Sequence, residues 1–182
     1  ARRNGRQLGG CVLMDLFESN AGQLLPVADA ELVLWQRVDF GNEDDLLRHL
    51  IEETPWRQEQ VTVWGKTYDQ PRLIAWYGDN AQSYSYSGIT LSALPWTLAL
   101  LRIKGRVEAL CQSSFNSVLL NYYRDHRDGM GFHSDDEPEL GPAPVIASVT
   151  VGAARHFVLK HRNRKDVANV KVVLPSGSLL LM

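Results

Sequence analysis

Residues 115–160 read FNSVLLNYYRDHRDGMGFHSDDEPELGPAPVIASVTVGAARHFVLK and decide how the rest of the chain is interpreted. His133 and Asp135 lie two residues apart near the centre of this stretch. Residues i and i+2 share one face of extended backbone, so both side chains can approach the same metal ion. An imidazole and a carboxylate are two of the ligands in the 2-His-1-carboxylate triad of non-haem Fe(II) sites. A bare His-x-Asp pair is common, however, so two solvated loop residues are the alternative.

The residues before this pair alternate in polarity, which predicts a β-strand over residues 115–123. Asn121 and Tyr123 then lie on the same side of the strand as Leu119, where the other side chains are mostly apolar. Buried polar groups need hydrogen-bonding partners, and a ligand held beside the metal could supply them. The alternative is a core asparagine with partners inside the protein and a tyrosine whose hydroxyl reaches the rim.

These residues and a second group upstream resemble the AlkB family of Fe(II)/2-oxoglutarate dioxygenases, most closely its branch that repairs alkylated nucleic acid. The downstream part of the resemblance is carried by Asn121, Tyr123, His133, Asp135, Asp136, Glu137, Ile146, Ala147, Ser148, Gly152, Arg155 and Phe157. The upstream part is carried by Trp64, Gly65, Lys66, Pro71, Arg72, Tyr77, Gly78, Asp79 and residues 84–88. The two parts occur in the family's order along the chain.

The resemblance implies the fold and the ligands of the site. The implied fold is a double-stranded β-helix, or jelly roll, backed by helices, with a nucleotide-recognition lid at about residues 56–92 and a core at about 113–182. His133 and Asp135 would hold Fe(II), and Asn121 and Tyr123 would hydrogen-bond the cosubstrate 2-oxoglutarate. The family's second histidine and its 2-oxoglutarate-binding arginines follow a segment like SGSLLLM, so we expect them beyond Met182.

The resemblance also implies the reaction, which is oxidative removal of N-methyl groups from bases of DNA or RNA with release of formaldehyde, succinate and CO2. A base inside a duplex must be flipped out or single-stranded to reach such a site, and it then needs aromatic faces and polar edges. The residues that resemble the family's base pocket are Arg72, Tyr84, Tyr86, Ser87 and Glu137. Without the resemblance, the Tyr-Ser-rich run is typical of a polar loop.

A basic segment near the end of the chain is a candidate contact for phosphate groups. It contains Arg155, Lys160, His161, Arg162, Arg164 and Lys165, of which we select Arg155 and Arg162 as substrate-binding residues. The net charge of the whole chain is -2, so this local excess of positive charge is informative. A solvated turn is the alternative, because such runs usually form one.

Trp64 lies in a predicted turn at residues 63–66, where a large apolar ring needs something to cover it. The protein's own surface is one cover. The other is a DNA duplex, into which apolar side chains insert as wedges between base steps. A flipped base leaves a gap in the stack that an indole could fill, and Lys66 could meet a phosphate.

The composition indicates one ordinary globular domain over residues 31–182, preceded by a flexible segment over residues 1–30. Cys11 and Cys111 form no CxxC pair, so we expect neither a zinc site nor a disulfide, and the cytoplasm (or a nucleus) as the compartment. No apolar run reaches transmembrane length, and we expect a monomer without membrane association.

Periodicity predicts two helices followed by many strands, which alone indicates only an α+β protein. The first helix is capped by Asn42 and ends at Pro55; the second begins at Pro95 and reaches about Leu110. We expect Leu98, Leu101, Val107 and Leu110 on the inner face of the second helix. Strands are predicted at residues 32–35 (an edge strand), 58–63, 73–77 (its returning partner), 115–123, 145–151, 156–161, 170–174 and 178–182.

Two other functions remain open at this point. A nucleic-acid-binding member of the family without catalytic activity would follow if the third iron ligand were truly absent. A 2-oxoglutarate-dependent hydroxylase of a protein or small molecule is the second alternative, although the Tyr-rich run and the basic segment favour nucleic acid.

Overall fold

The computed structural model describes residues 21–79, 83–86, 89–135, 140–141 and 143–182, and describes residues 63, 83–86 and 89–91 by their backbone alone. The helices are α1 (Glu43–Glu53) and α2 (Leu98–Cys111). The strands up to α2 are β1 (Gln23–Leu25), β2 (Leu32–Trp35), β3 (Gln60–Val63), β4 (Lys66–Asp69), β5 (Leu73–Gly78), β6 (Ser83–Tyr86) and β7 (Ile89–Ser92). Those after it are β8 (Ser117–Tyr122), β9 (Ala147–Val149), β10 (Arg155–Leu159), β11 (Val170–Leu174) and β12 (Leu179–Leu181).

The largest sheet has four antiparallel strands in the order β1-β2-β12-β9. Leu179 and Leu180 of β12 are 0% exposed and face opposite sides of this sheet. Leu180 packs with residues of β2 and β11, whereas Leu179 packs with Trp35 and with Val107 of α2. A strand buried on both faces is a continuous apolar run rather than an alternating one, which explains the sequence LLL. We predicted β2 as an edge strand, and this was wrong: β2 lies between β1 and β12.

The helices begin and end close to the predicted residues. The Asn42 side chain accepts a hydrogen bond from the Asp45 backbone N at 3.0 Å, and α1 stops before Pro55. In α2 the capping residue is Thr97, whose Oγ1 accepts from the Leu100 backbone N at 3.2 Å, so the helix starts after Pro95 rather than at it.

The inner face of α2 was predicted partly wrongly. Leu100 and Val107 are buried, while Leu98 is 77% and Leu101 is 44% exposed. The inner face of α2 consists of residues 100, 103, 107 and 110. Leu100 and Val107 are buried, and Ile103 and Leu110 are partly buried beside them. Because α2 carries leucine at three of its first four positions, the sequence does not indicate which of them face the core.

The pairing of β3 was also predicted wrongly. β3 forms an antiparallel hairpin with β4 rather than with β5. β5 pairs with β8, over six residue pairs from Leu73↔Tyr122 to Gly78↔Ser117. β4 has the sequence KTYD, and all four residues are exposed, so it lacks the apolar alternation that identifies a strand in a sequence. Trp64 (φ 48°) and Gly65 (φ 76°) connect β3 to β4, and two positive φ angles are the signature of a type I′ hairpin turn.

The strand-rich part of the chain is confirmed, since β8, β9, β11 and β12 lie within their predicted ranges and β10 begins one residue early. β1 lies in the segment that we predicted as flexible, and residues 1–20 of that segment are outside the described residues. β10 pairs with β11, and β6 with β7. Across the described residues, neither helix is long and apolar enough to cross a membrane.

Candidate metal and cosubstrate site

The His133 and Asp135 side chains converge, as their spacing predicts. His133 Nε2 and Asp135 Oδ1 are 3.3 Å apart, and each side chain is about one-third exposed. His133 Nδ1 is 2.9 Å from the Gly131 carbonyl O. The Asp135 carboxylate, as hydrogen-bond acceptor, raises the pKa of His133, while burial and the charge of Arg72 act in the opposite direction. With Nδ1–H donating to Gly131, Nε2 is the atom that a metal ion would take.

This pair fits two positions of a 2-His-1-carboxylate iron site, because it brings one imidazole nitrogen and one carboxylate oxygen to the same point. A divalent cation bound by His133 Nε2 and Asp135 Oδ1 would compete with protons for these atoms, since metal ligands of this kind bind in their deprotonated form. Within the part of the chain that the structure describes, no group of three or more His, Cys, Asp and Glu side chains could hold a metal ion.

The loop that leads from β8 to His133 is held by an ion pair. Arg124 donates three hydrogen bonds to the Asp128 carboxylate: from its backbone N (2.9 Å), from Nε (2.7 Å) and from Nη2 (3.0 Å). Asp128 is 7% exposed, and its pKa is lowered because Arg124 donates to the charged form. The next residue, Gly129, donates its N–H to the Pro71 carbonyl O at 2.9 Å, which attaches the loop to the segment that contains Arg72.

Arg155 fixes the same loop from the opposite side. Its Nη2 donates to the Asp128 carbonyl O at 2.6 Å, and its Nη1 donates to the Asp125 carbonyl O at 3.4 Å. Its Cζ lies 4.3 Å from the centroid of the Tyr123 ring, which is cation–π geometry. The sequence indicated Arg155 as a substrate-binding residue, but in the structure its guanidinium contacts the protein's own loop and Tyr123.

Two buried polar atoms near this loop have no hydrogen-bond partner among the described residues. One is Oδ1 of Asn121, and the other is Nε of Arg72, whose residue is only 5% exposed. Buried polar atoms are rarely left unpaired, so an ordered water or a ligand is expected to supply each partner. Oδ1 of Asn121 is an acceptor and needs a donor as its partner, whereas only the Nδ2 end of this amide can donate to a carboxylate.

The Asp128–Arg124 pair predicts how stability depends on pH. Because the pKa of Asp128 is lowered in the folded state, this carboxylate stabilises the fold above its unfolded pKa of about 3.9 and loses that contribution as pH falls through its folded pKa. We expect Asp128→Asn to be less stable than the unsubstituted chain at neutral pH, with the difference shrinking below about pH 4. Urea midpoints measured across this pH range check the expectation, and a difference that stays constant with pH would contradict it.

Trp64 is 99% exposed at the tip of the β3–β4 hairpin. The interpretation that the protein's own surface covers the indole is therefore wrong. Tyr68, on the second strand of the hairpin, is also 53% exposed. The hairpin thus carries two aromatic side chains into solvent, one of them at its tip.

The basic segment is less uniformly positive than its sequence indicates. Arg164 pairs with Asp29 at 3.1 Å and with Asp166 at 2.9 Å, and Asp29 also lies 3.1 Å from His161 Nε2. Lys160 lies over the ring of Phe132. Arg162 and Lys165 are exposed, so both side chains are accessible to a phosphate group.

Several predicted site residues fall outside what the structure describes: Asp136, Ser87 and Glu137 entirely, and Tyr84 and Tyr86 in their side chains. The sequence reasoning missed Arg124, Asp128 and Phe132. An i, i+4 pair of opposite charges, Arg124 and Asp128, was the available signal for the first two. Phe132 gives no signal beyond being a large apolar residue in a polar loop.

Comparison with known proteins identifies the class. Residues 38–182 match the family described as the 2OG-Fe(II) oxygenase superfamily. Because this match covers most of the chain, the chain belongs to that superfamily.

Within it, the similar proteins carry AlkB names, which confirms the resemblance to the AlkB family. The chain is 41% identical over 153 residues to the alpha-ketoglutarate-dependent dioxygenase alkB homolog 3 of Mus musculus, a match that covers 80% of this chain and 53% of that protein. It is 40% identical over 148 residues to the DNA oxidative demethylase ALKBH2 of Homo sapiens, with 76% and 57% covered. The Arabidopsis thaliana protein of the same name is 30% identical over 148 residues. The chain thus spans about half the length of the curated relatives that it matches.

Proposed function

We propose that this chain is part of an Fe(II)/2-oxoglutarate-dependent demethylase that acts on N-alkylated bases of nucleic acid, with DNA as the preferred substrate. The observation that carries the proposal is the convergence of His133 Nε2 and Asp135 Oδ1, 3.3 Å apart, at the end of a loop held on two sides. Relatives named as an alpha-ketoglutarate-dependent dioxygenase and as a DNA oxidative demethylase support it.

The site residues divide into iron ligands and cosubstrate contacts. His133 and Asp135 would hold the iron, which with O2 as the oxidant and 2-oxoglutarate as the cosubstrate would supply the chemistry that hydroxylates an N-methyl group. Asn121, through its Nδ2–H, and Tyr123, through its hydroxyl, would orient 2-oxoglutarate by hydrogen bonds. The hydroxylated methyl group leaves as formaldehyde, and the cosubstrate leaves as succinate and CO2.

The fold that we propose for the whole domain is the jelly roll of this superfamily, backed by α1 and α2. The antiparallel sheet β1-β2-β12-β9 and the β10–β11 pair would belong to its core. The hairpins β3–β4 and β6–β7, both within the predicted lid at residues 56–92, would form its nucleotide-recognition region.

The substrate side of the site would be lined by Arg72, Tyr84, Tyr86, Ser87 and Glu137. Support for Arg72 comes from its buried guanidinium, whose charge acts on His133 and whose Nε has no partner among the described residues. A nucleobase edge could supply that partner once the base has been flipped out of the stack. Arg162 would contact a phosphate group, and Trp64 would insert as a wedge between base steps of the duplex.

Formaldehyde release tests the proposal. We expect the protein to release formaldehyde from an oligonucleotide with N-methylated bases when Fe(II), 2-oxoglutarate and O2 are all present, and from none of the three partial mixtures. The same sequence without methyl groups is the matched control. A protein that binds the methylated strand but releases no formaldehyde would be a nucleic-acid-binding member of the family without activity.

Arg155 supplies a prediction that separates two roles. If Arg155 acts by positioning Tyr123, Arg155→Ala raises the KM for 2-oxoglutarate by about tenfold, a loss of ~1.4 kcal/mol, and changes kcat less. Arg155→Lys keeps the charge over the ring and should recover part of the loss. Steady-state kinetics with each substrate varied in turn provide the measurement. A raised KM for the oligonucleotide alone would instead return Arg155 to the substrate-binding role that its sequence position indicates.

A further inference from the structure

Phe132, the residue before His133, leaves most of its ring in solvent. It is 67% exposed, and Lys160 from the end of β10 places its Nζ 5.6 Å from the ring centroid. An exposed cation–π pair contributes little free energy, less than burial of a phenyl ring would. The exposure of this ring, one residue before His133 in the chain, therefore needs another explanation.

The outer face of the β10–β11 ribbon, which leads up to Lys160, also carries exposed apolar and basic side chains. On β10 the exposed residues are His156 and Val158, and they pair across the ribbon with Val173 and Lys171 of β11. The alternate residues of these strands, among them Leu174, pack into the core instead. The outer face of the β10–β11 ribbon is thus apolar and basic, without an acidic side chain among its paired residues.

An aromatic face next to a cation is how proteins bind single-stranded nucleic acid. Bases stack on the ring regardless of their identity, and the cation neutralises the phosphate of the same strand. Phe132 precedes His133 in the chain and is not one of the residues assigned to the base pocket, so we assign to its ring the base beside the one being demethylated rather than that base itself.

We propose that Phe132 is a stacking platform for the nucleobase next to the target base, and that Lys160 binds the phosphate between them. This assignment rests on the proposed function and adds to it a binding position for the flanking nucleotide. Trp64 lies at the tip of a separate hairpin and acts on the duplex, whereas Phe132 would act on single-stranded and double-stranded substrates alike.

Fluorescence of 2-aminopurine tests the platform directly. The probe is a short single-stranded oligonucleotide with one N-methylated base and 2-aminopurine beside it, bound under anaerobic conditions to the metal-loaded protein. Stacking on Phe132 should quench the fluorescence on binding. We expect Phe132→Ala to lose the quenching and to weaken binding by about tenfold, the loss expected for one stacked base. Phe132→Trp should restore both.

A matched control and an abasic strand make the result decisive. Leu24→Ala removes an apolar side chain of similar exposure, 66%, from β1 and should change neither signal. When the flanking base is replaced by an abasic site, the unsubstituted protein and Phe132→Ala should bind equally well. An equal loss on both strands, or unchanged quenching, would overturn the platform and leave the ring as a contact for another chain segment or a protein partner.

Failure of the platform and failure of the proposed function give different results. Suppose that the unsubstituted protein releases formaldehyde from the methylated strand, and that Phe132→Ala binds the intact and abasic strands as tightly as the unsubstituted protein. Only the stacking platform would then be wrong. If the unsubstituted protein neither binds that strand nor releases formaldehyde, both are wrong.

Discussion

We expect alanine in place of His133 or Asp135 to abolish turnover of 2-oxoglutarate while the fold survives. Each substitution removes one of the two donors that meet at 3.3 Å, and a metal site acting as a Lewis acid supplies several kcal/mol of barrier lowering. We therefore expect a loss of at least about a thousandfold in succinate formation. Because both side chains are about one-third exposed, the free energy of unfolding should change by about 0.5 kcal/mol or less.

His126→Ala is the matched control for these two variants. His126 is exposed, lies seven residues before His133 and contributes to none of the contacts that hold the loop. Succinate formation and thermal unfolding are measured on all three variants, together with Fe(II) affinity. Turnover retained in either His133→Ala or Asp135→Ala would remove that residue from the iron site.

The second large effect is expected at Trp64, and only on double-stranded substrate. With the indole 99% exposed at a hairpin tip, Trp64→Ala removes no packing within the described protein. An apolar wedge offsets part of the unstacking free energy of a few kcal/mol when a base leaves the duplex. We expect demethylation of the annealed strand to fall by at least about tenfold, while the same strand alone is demethylated at nearly the original rate.

Two further variants separate a wedge from a general aromatic contact. Trp64→Phe keeps an apolar ring at the tip and should retain most of the activity on duplex. Tyr68→Ala removes an exposed aromatic ring from the same hairpin, away from the tip, and should affect the annealed and single strands alike. If Trp64→Ala slows both substrates equally, the wedge role does not hold.

The sequence predicted most elements of this fold because their apolar patterns are strong. β8 and β11 alternate or carry β-branched residues, and α1 has both a capping asparagine and a terminating proline. β4 was missed because its four residues are exposed and polar, so only the β3–β4 pairing itself defines it as a strand. The edge position predicted for β2 was wrong because sheet order depends on contacts between distant segments, here with β12.

The candidate site was also predicted only in part. The convergence of His133 and Asp135 could be predicted from their i, i+2 spacing, but their interpretation as iron ligands depended on the flanking residues and the family resemblance. The contacts of Arg155 with the Asp125 and Asp128 carbonyls could not, because they join residues about thirty positions apart. The positive charge of the basic segment was overestimated, because Asp29, which is distant in the sequence, pairs with Arg164.

Whether the protein demethylates nucleic acid is tested by following the oligonucleotide and the cosubstrate in one reaction. Mass spectrometry of a strand with a single N-methylated base gives the amount of methyl group lost, and succinate is quantified in the same sample. We expect equal amounts of demethylated strand and succinate, and we expect neither product from His133→Ala. Succinate formed without loss of the methyl group would contradict a nucleic-acid demethylase and indicate another substrate for the same iron site.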